Sequence, residues 1–134
     1  MRDTRAHWLI DGMNLIGSRP NRWWKDPDAA IRDLIERLED YAAATGEPVT
    51  VVFDYRPKGL RPGTSGGVKA RFASGGPDAA DLLIAEMLGE HPDPQSYRVV
   101  TSDGALRRTA QAAGAEVVGA GTFRTRLDEV TGNR

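Results

Sequence analysis

The sequence predicts an α/β protein built on a mostly parallel sheet. Two observations carry that expectation. Short apolar runs alternate with segments of helical period, in units compact enough for right-handed crossovers between parallel strands. Three of those runs also end on an aspartate: His7-Trp8-Leu9-Ile10-Asp11, Val49-Thr50-Val51-Val52-Phe53-Asp54, and Tyr97-Arg98-Val99-Val100-Thr101-Ser102-Asp103. In open parallel sheets, ligands bind beyond the carboxyl ends of the strands at a topological switch point.

Met1 to Ala6 is a charged lead-in expected to fray. The first strand is His7 to Ile10, and Gly12 is expected to let the backbone turn sharply after Asp11. A loop is expected from Asn14 through Trp23, Trp24 and Lys25. Asp26 then has the chemistry of an N-cap, with Pro27 at the first helical position and Asp28 favouring the dipole. Ile31, Leu34, Ile35, Leu38 and Ala42 form one apolar stripe, and Gly46 stops the helix. The second strand is Val49 to Phe53. From Tyr55 to Pro77 there is no acidic residue; Val68 to Ala73 alternates weakly, as a short exposed strand would, and the remainder reads as a flexible loop.

Pro77 is expected to open a second helix carrying Leu83, Ile84, Met87 and Leu88, which His91-Pro92 ends. A strand at Tyr97 to Thr101, a helix from Asp103 to Ala113 closed by Gly114, and a strand at Ala115 to Val118 follow. Thr122 to Val130 reads as a last short helix, with Thr131 to Arg134 a frayed tail. One domain spanning residues 1–134 is the expectation, with neither repeat nor linker to divide it.

Composition narrows the chemistry. The 134 residues are 40% hydrophobic and 28% charged, as in ordinary globular domains. The absence of cysteine removes disulfides, thiolate catalysis and Cys-zinc sites. No apolar run approaches the roughly 20 residues of a membrane span, and no signal-peptide pattern opens the chain, so a cytoplasmic location is the default. A formal net charge of −1 means that any nucleic acid must be held by a local patch.

If the three aspartate-ended strands are neighbours, a spacing of ~4.8 Å per strand brings Asp11, Asp54 and Asp103 within about 10 Å of one another. Asp78 and Asp81, three apart on a helix, add carboxylates from one face. Such a cluster is costly unless cations neutralise it. Oxygen ligands without cysteine or histidine suit Mg²⁺ or Mn²⁺, which activate water and stabilise in-line displacement at phosphorus.

Simpler roles compete at single positions. Asp103 serves equally well as a helix cap unless Ser102 does so, Asp54 as a turn residue, and Asp78 as a partner of the helix dipole. Arg56, Lys58, Arg61, Lys69 and Arg71, with no acid among them, are candidate phosphate contacts. Trp23 and Trp24, between Arg22 and Lys25, offer stacking surfaces for unpaired bases, with one of the pair expected to pack as a hydrophobic staple instead. His7 and His91 have no ligand spacing and read as structural.

These residues resemble the NYN domain of the PIN-like nuclease superfamily, in its YacP-like branch. The resemblance rests on Leu9-Ile10-Asp11-Gly12-Met13-Asn14-Leu15-Ile16, Val51-Val52-Phe53-Asp54, Asp78-Ala79-Ala80-Asp81-Leu82-Leu83-Ile84 and Val99-Val100-Thr101-Ser102-Asp103, and covers residues 7–128. It implies a Rossmann-like three-layer α/β/α sandwich and metal-dependent ribonuclease activity. Carried over by position, Asp11, Asp81 and Asp103 would be metal ligands, supported by Asn14 and Asp54. Family members often have two adjacent acids where this chain has Asp81-Leu82, which leaves the number of metal ions open. The expectation is therefore a Mg²⁺- or Mn²⁺-dependent endoribonuclease for single-stranded or unpaired RNA, its RNA met free or presented by a ribosome or other RNA-processing complex. The rival is a non-catalytic RNA-binding module of the same fold. A small-molecule phosphatase is disfavoured, because Met13 stands where a second aspartate would be wanted.

Overall fold

A computed structural model of the chain describes residues 7–132; the fraying expected of residues 1–6 and of 133 and 134 lies outside them. Strands β1 (His7–Asp11), β2 (Val49–Phe53), β3 (Gly63–Ser65), β4 (Val68–Phe72), β5 (Tyr97–Val100) and β6 (Glu116–Val118) form one sheet in the order β3-β4-β2-β1-β5-β6. Every pairing is parallel except β3 with β4. Because β1 lies between β2 and β5, the chain leaves β1 toward one side and returns on the other. That is a switch point, and the three aspartate-ended strands are indeed neighbours.

Helices cover both faces. On one, α1 (Gly12–Gly17), α2 (Pro27–Thr45) and α5 (Ala120–Thr131) pack on Trp8, Ile10, Val51 and Phe53. On the other, α3 (Ala79–Glu90) and α4 (Gly104–Ala112) pack on Leu9, Val52 and Val99. The strand pleat sends alternate residues to opposite faces, so the near-continuous apolar runs of β1, β2 and β5 feed both cores at once.

The boundaries of α2 follow its capping residues. Asp26 accepts from the Ala29 N–H at 3.1 Å, Pro27 occupies the first turn, and Gly46 closes the helix at φ +71°. Elsewhere the structure departs from the expectations. The chain does not turn on Gly12; it enters the six-residue α1 there directly. The requirement for glycine is steric: a Cβ would lie 2.5 Å from ring carbons of Phe53 and 3.0 Å from the Val52 carbonyl oxygen. The segment read as a flexible loop contains a hairpin, β3–β4, turned by Gly66 and Gly67 at φ +55° and +80°, the conformation of a type I′ turn. Its second strand is not exposed, since Val68 and Ala70 are buried against the core under α2. Helix α3 starts at Ala79, two residues after Pro77, because Asp78 itself is left-handed at φ +59°. Thr131 belongs to α5.

Candidate active site at the carboxyl edge of the sheet

Five aspartates meet in a cleft of about 280 Å³ beyond the ends of β1, β2 and β5: Asp11, Asp54, Asp78, Asp81 and Asp103, with Asn14 and Met13 completing the wall. Each is placed by a different piece of local structure. Asp11 ends β1 and is only 5% exposed. Its Oδ2 accepts from the Thr101 hydroxyl at 3.1 Å, and the Asn14 backbone N–H also donates to it. Burial, reinforced by Asp81, pushes its carboxyl up to about 7, against the pull of those two hydrogen bonds.

Asp54 leaves β2 and accepts from the Ala80 N–H at 3.0 Å. It thereby caps α3, which has no side-chain cap of its own, and fixes the turn that carries Asp81 into the cleft. The Asp81 carboxyl is also raised, first by burial and then by Asp103, while a hydrogen bond with Asp11 opposes the shift. Asp103 is the N-cap of α4, accepting from Leu106 N–H at 3.0 Å through Oδ2. Ser102 does not cap α4 in its place, because the Ser102 hydroxyl accepts from Ala120 N–H at 3.0 Å and caps α5. Capping and cleft-lining are thus combined in Asp103. Asn14, on α1, accepts from the Ser102 N–H at 2.8 Å and ties the helix to the end of β5.

Thr101 was not singled out by sequence reasoning, yet it is fully buried and its one hydroxyl donates to Asp11 while accepting from the Asp103 N–H at 3.1 Å. It holds two of the cleft carboxylates in register. The available signal was a threonine directly after the apolar Val99-Val100 pair, two residues before Asp103.

Among the described residues, no lysine or arginine lines the cleft. Among the described residues no three His, Asp or Glu side chains stand close enough to form one ligand group. Asp11, Asp81 and Asp103 therefore share the cleft without closing into a three-carboxylate cage. The donor set is all oxygen and strongly anionic. It fits an ion such as Mg²⁺, which is held by one or two carboxylates and keeps several waters.

Comparison with known proteins agrees with this geometry. The family model described as "YacP-like NYN domain" matches residues 8–133. The chain belongs to the YacP-like NYN family. Crystal structures of Rae1 (YacP) from Bacillus subtilis superpose on it: a single-substitution mutant with TM-score 0.74 at 24% identity, covering 93% of this chain and 76% of that one. Another Rae1 structure gives TM-score 0.71 at 25% identity, covering 92% and 74%. A UPF0178 protein of Xanthomonas oryzae pv. oryzae is 38% identical over 104 residues, 75% of this chain but 58% of the relative, so the chain spans little more than half the length of that protein. The NYN fold, PIN-like and nuclease-like, is thereby established for this chain.

The basic residues predicted to act together are divided in this NYN domain. Tyr55 bonds Asp28 at 2.5 Å, the Lys58 carbonyl accepts from Arg32, and Arg56 folds back onto the Leu60 carbonyl, so this stretch docks on α2. Arg61 is exposed in the same stretch. Lys69 and Arg71 alternate along β4 with Val68 and Ala70, so the pleat points them to the α3 side.

The tryptophans divide likewise. Trp23 packs on the α1–α2 core, whereas Trp24 meets it edge-on at 6.3 Å and is 59% exposed. Trp23→Ala is expected to lower the melting temperature with RNA affinity retained. Trp24→Ala should keep the melting temperature and lose about 1–3 kcal/mol of RNA binding, read by fluorescence titration. His7 and His91 flank Tyr97 at ring distances of 4.6 and 4.8 Å, away from the cleft, in the packing role expected of them.

Proposed function

We propose that this NYN domain is a Mg²⁺- or Mn²⁺-dependent endoribonuclease acting on single-stranded or unpaired RNA. The observation that carries the reading is the convergence of five aspartates on one cleft, with no basic residue lining it among the described residues. Such a site is electrostatically unfavourable when empty and becomes favourable with a divalent cation. Asp11 and Asp81, hydrogen-bonded to each other, would hold it, with Asp103 and Asp54 adding negative charge around it. A bound divalent ion supplies Lewis-acid activation of water and neutralises charge developing on the phosphate.

The chain's own residues supply the positioning. Thr101 fixes the rotamers of Asp11 and the start of α4 together. Asn14, its oxygen engaged by Ser102, has its amide nitrogen left to orient a phosphate oxygen. Asp54 clamps α3 so that Asp81 stays on the cleft. Hydrolysis by water leaves plain phosphate and hydroxyl ends.

The proposal is tested by incubating an end-labelled, unstructured RNA with the protein and Mg²⁺ or Mn²⁺ and identifying the fragment ends. Internal cuts carrying such ends support the proposal. Ends bearing a cyclic phosphate, or RNA that is bound and left intact, overturn it; the latter result would favour the RNA-binding module.

A further inference from the structure

A second groove, of about 360 Å³, runs along the outer side of α3 between that helix and the end of β4. Arg71 and Phe72 form one wall, Leu82 and Leu83 the other, and Glu86 stands among the lining residues. It adjoins the acidic cleft: Asp81 lines the cleft and Leu82, next in the chain, lines the groove. Leu82 is 69% exposed, and among the described residues only it and Trp24 are large hydrophobic side chains left so open. Arg71 is half-buried, and among the described residues no carboxylate forms an ion pair with it.

We propose that this groove holds the nucleotide next to the scissile phosphate, with Arg71 on its phosphate and its base against Leu82 and Leu83. The inference rests on the endoribonuclease reading and names where the RNA strand leaves the cleft. The cleft alone repels a polyanion, because its carboxylates outnumber the charge of one divalent ion. A strand therefore needs a cation just outside it, and Arg71 supplies one across the Leu82 ridge. An unpaired base presents an apolar face that a leucine ridge shields from water, and its edge carries N–H donors for which Glu86 is an acceptor. Arg56 and Lys58, docked on the α2 side, lie across the sheet from this path.

The experiment is binding of a fluorescent single-stranded RNA in EDTA, where no cleavage occurs, measured against salt. Arg71→Ser should weaken binding and remove roughly 0.7 from the log–log salt slope. Arg71→Lys should restore the slope. Leu82→Ala, at an exposed position, should weaken binding several-fold with the slope unchanged, because an apolar contact releases no counterions. Arg98→Ser, at the end of β5 remote from the cleft and paired with Glu116, should leave both quantities at the wild-type values. An unchanged slope in Arg71→Ser, or an equal loss in Arg98→Ser, overturns the proposal. These readouts do not involve catalysis: a protein that binds RNA in this way and fails to cut it would refute the nuclease reading alone.

Discussion

Asp11→Asn is expected to abolish cleavage while leaving the metal-free protein as stable as the wild type, or slightly more so. The substitution keeps the shape and the oxygen that accepts from Thr101, and removes the charge that burial and Asp81 oppose. Divalent ions that bind the folded cleft and not the unfolded chain should raise the wild-type melting temperature by mass action. That increment should shrink in Asp11→Asn and in Asp103→Asn; the latter retains its helix cap, since asparagine caps as well as aspartate. The pH dependence follows from the sign of the shift. A carboxyl whose folded pKa is raised to about 7 penalises the folded state above that pH, and the penalty fades as pH falls toward the unfolded value near 4. The metal-free wild type should therefore gain stability from this group between pH 7 and 4, and Asp11→Asn should not. Calorimetry at a series of pH values checks both. A marked loss of metal-free stability with cleavage retained would instead make Asp11 a structural residue.

Asp128→Ala should produce the largest loss of stability. Asp128, on α5, accepts from Arg19 Nη1 at 3.2 Å and Nη2 at 2.5 Å, and from Arg37 Nη2 at 2.5 Å. Arg124, one turn earlier on the same helix, donates to the Ser18 carbonyl. This network joins the end of α1 to α2 and α5, beneath the helix that presents Asn14. Arg37 is only 6% exposed, so removing the carboxylate leaves a buried guanidinium without it. We expect a loss of about 3 kcal/mol, the scale for breaking a buried pair from one side, and a melting temperature about 10 °C lower. The hydrogen bond from Arg19, aided by the neighbouring arginines, holds the Asp128 carboxyl below its usual range. Its contribution is thus complete above the unfolded pKa and is lost as pH falls through the folded one, so the variant should lose less than the wild type on acidification below about pH 4. Thermal melts at pH 7 and pH 3 test this; a variant as stable as the wild type at pH 7 would contradict it.

The features legible in the sequence were those with local causes. Asp26-Pro27 and Gly46 bracket α2 because caps and left-handed glycines act within a few residues. The aspartates after three apolar runs marked the cleft because parallel strands must place their ends on one edge. What escaped depends on distant partners. Helix α1 is too short to show a period, and Gly12 is needed only because Phe53 lies against it. Of two adjacent cap-forming residues, Asp103 caps α4 and Ser102 caps α5, a division set by where α5 docks. The Gly66-Gly67 pair was a legible hairpin signal hidden in a glycine-rich stretch. The basic residues looked continuous along the chain, yet docking of the Tyr55–Leu60 stretch and the pleat of β4 send them to opposite sides of the sheet.

The most direct test of the central claim is the cleavage rate of an unstructured RNA as the divalent ion is withdrawn and restored. The carboxylate cleft predicts internal cutting in Mg²⁺ or Mn²⁺, no cutting in excess EDTA with the RNA still bound, and recovery when the ion is added back. Cleavage that continues undiminished in EDTA would contradict a metal-dependent role for the cleft.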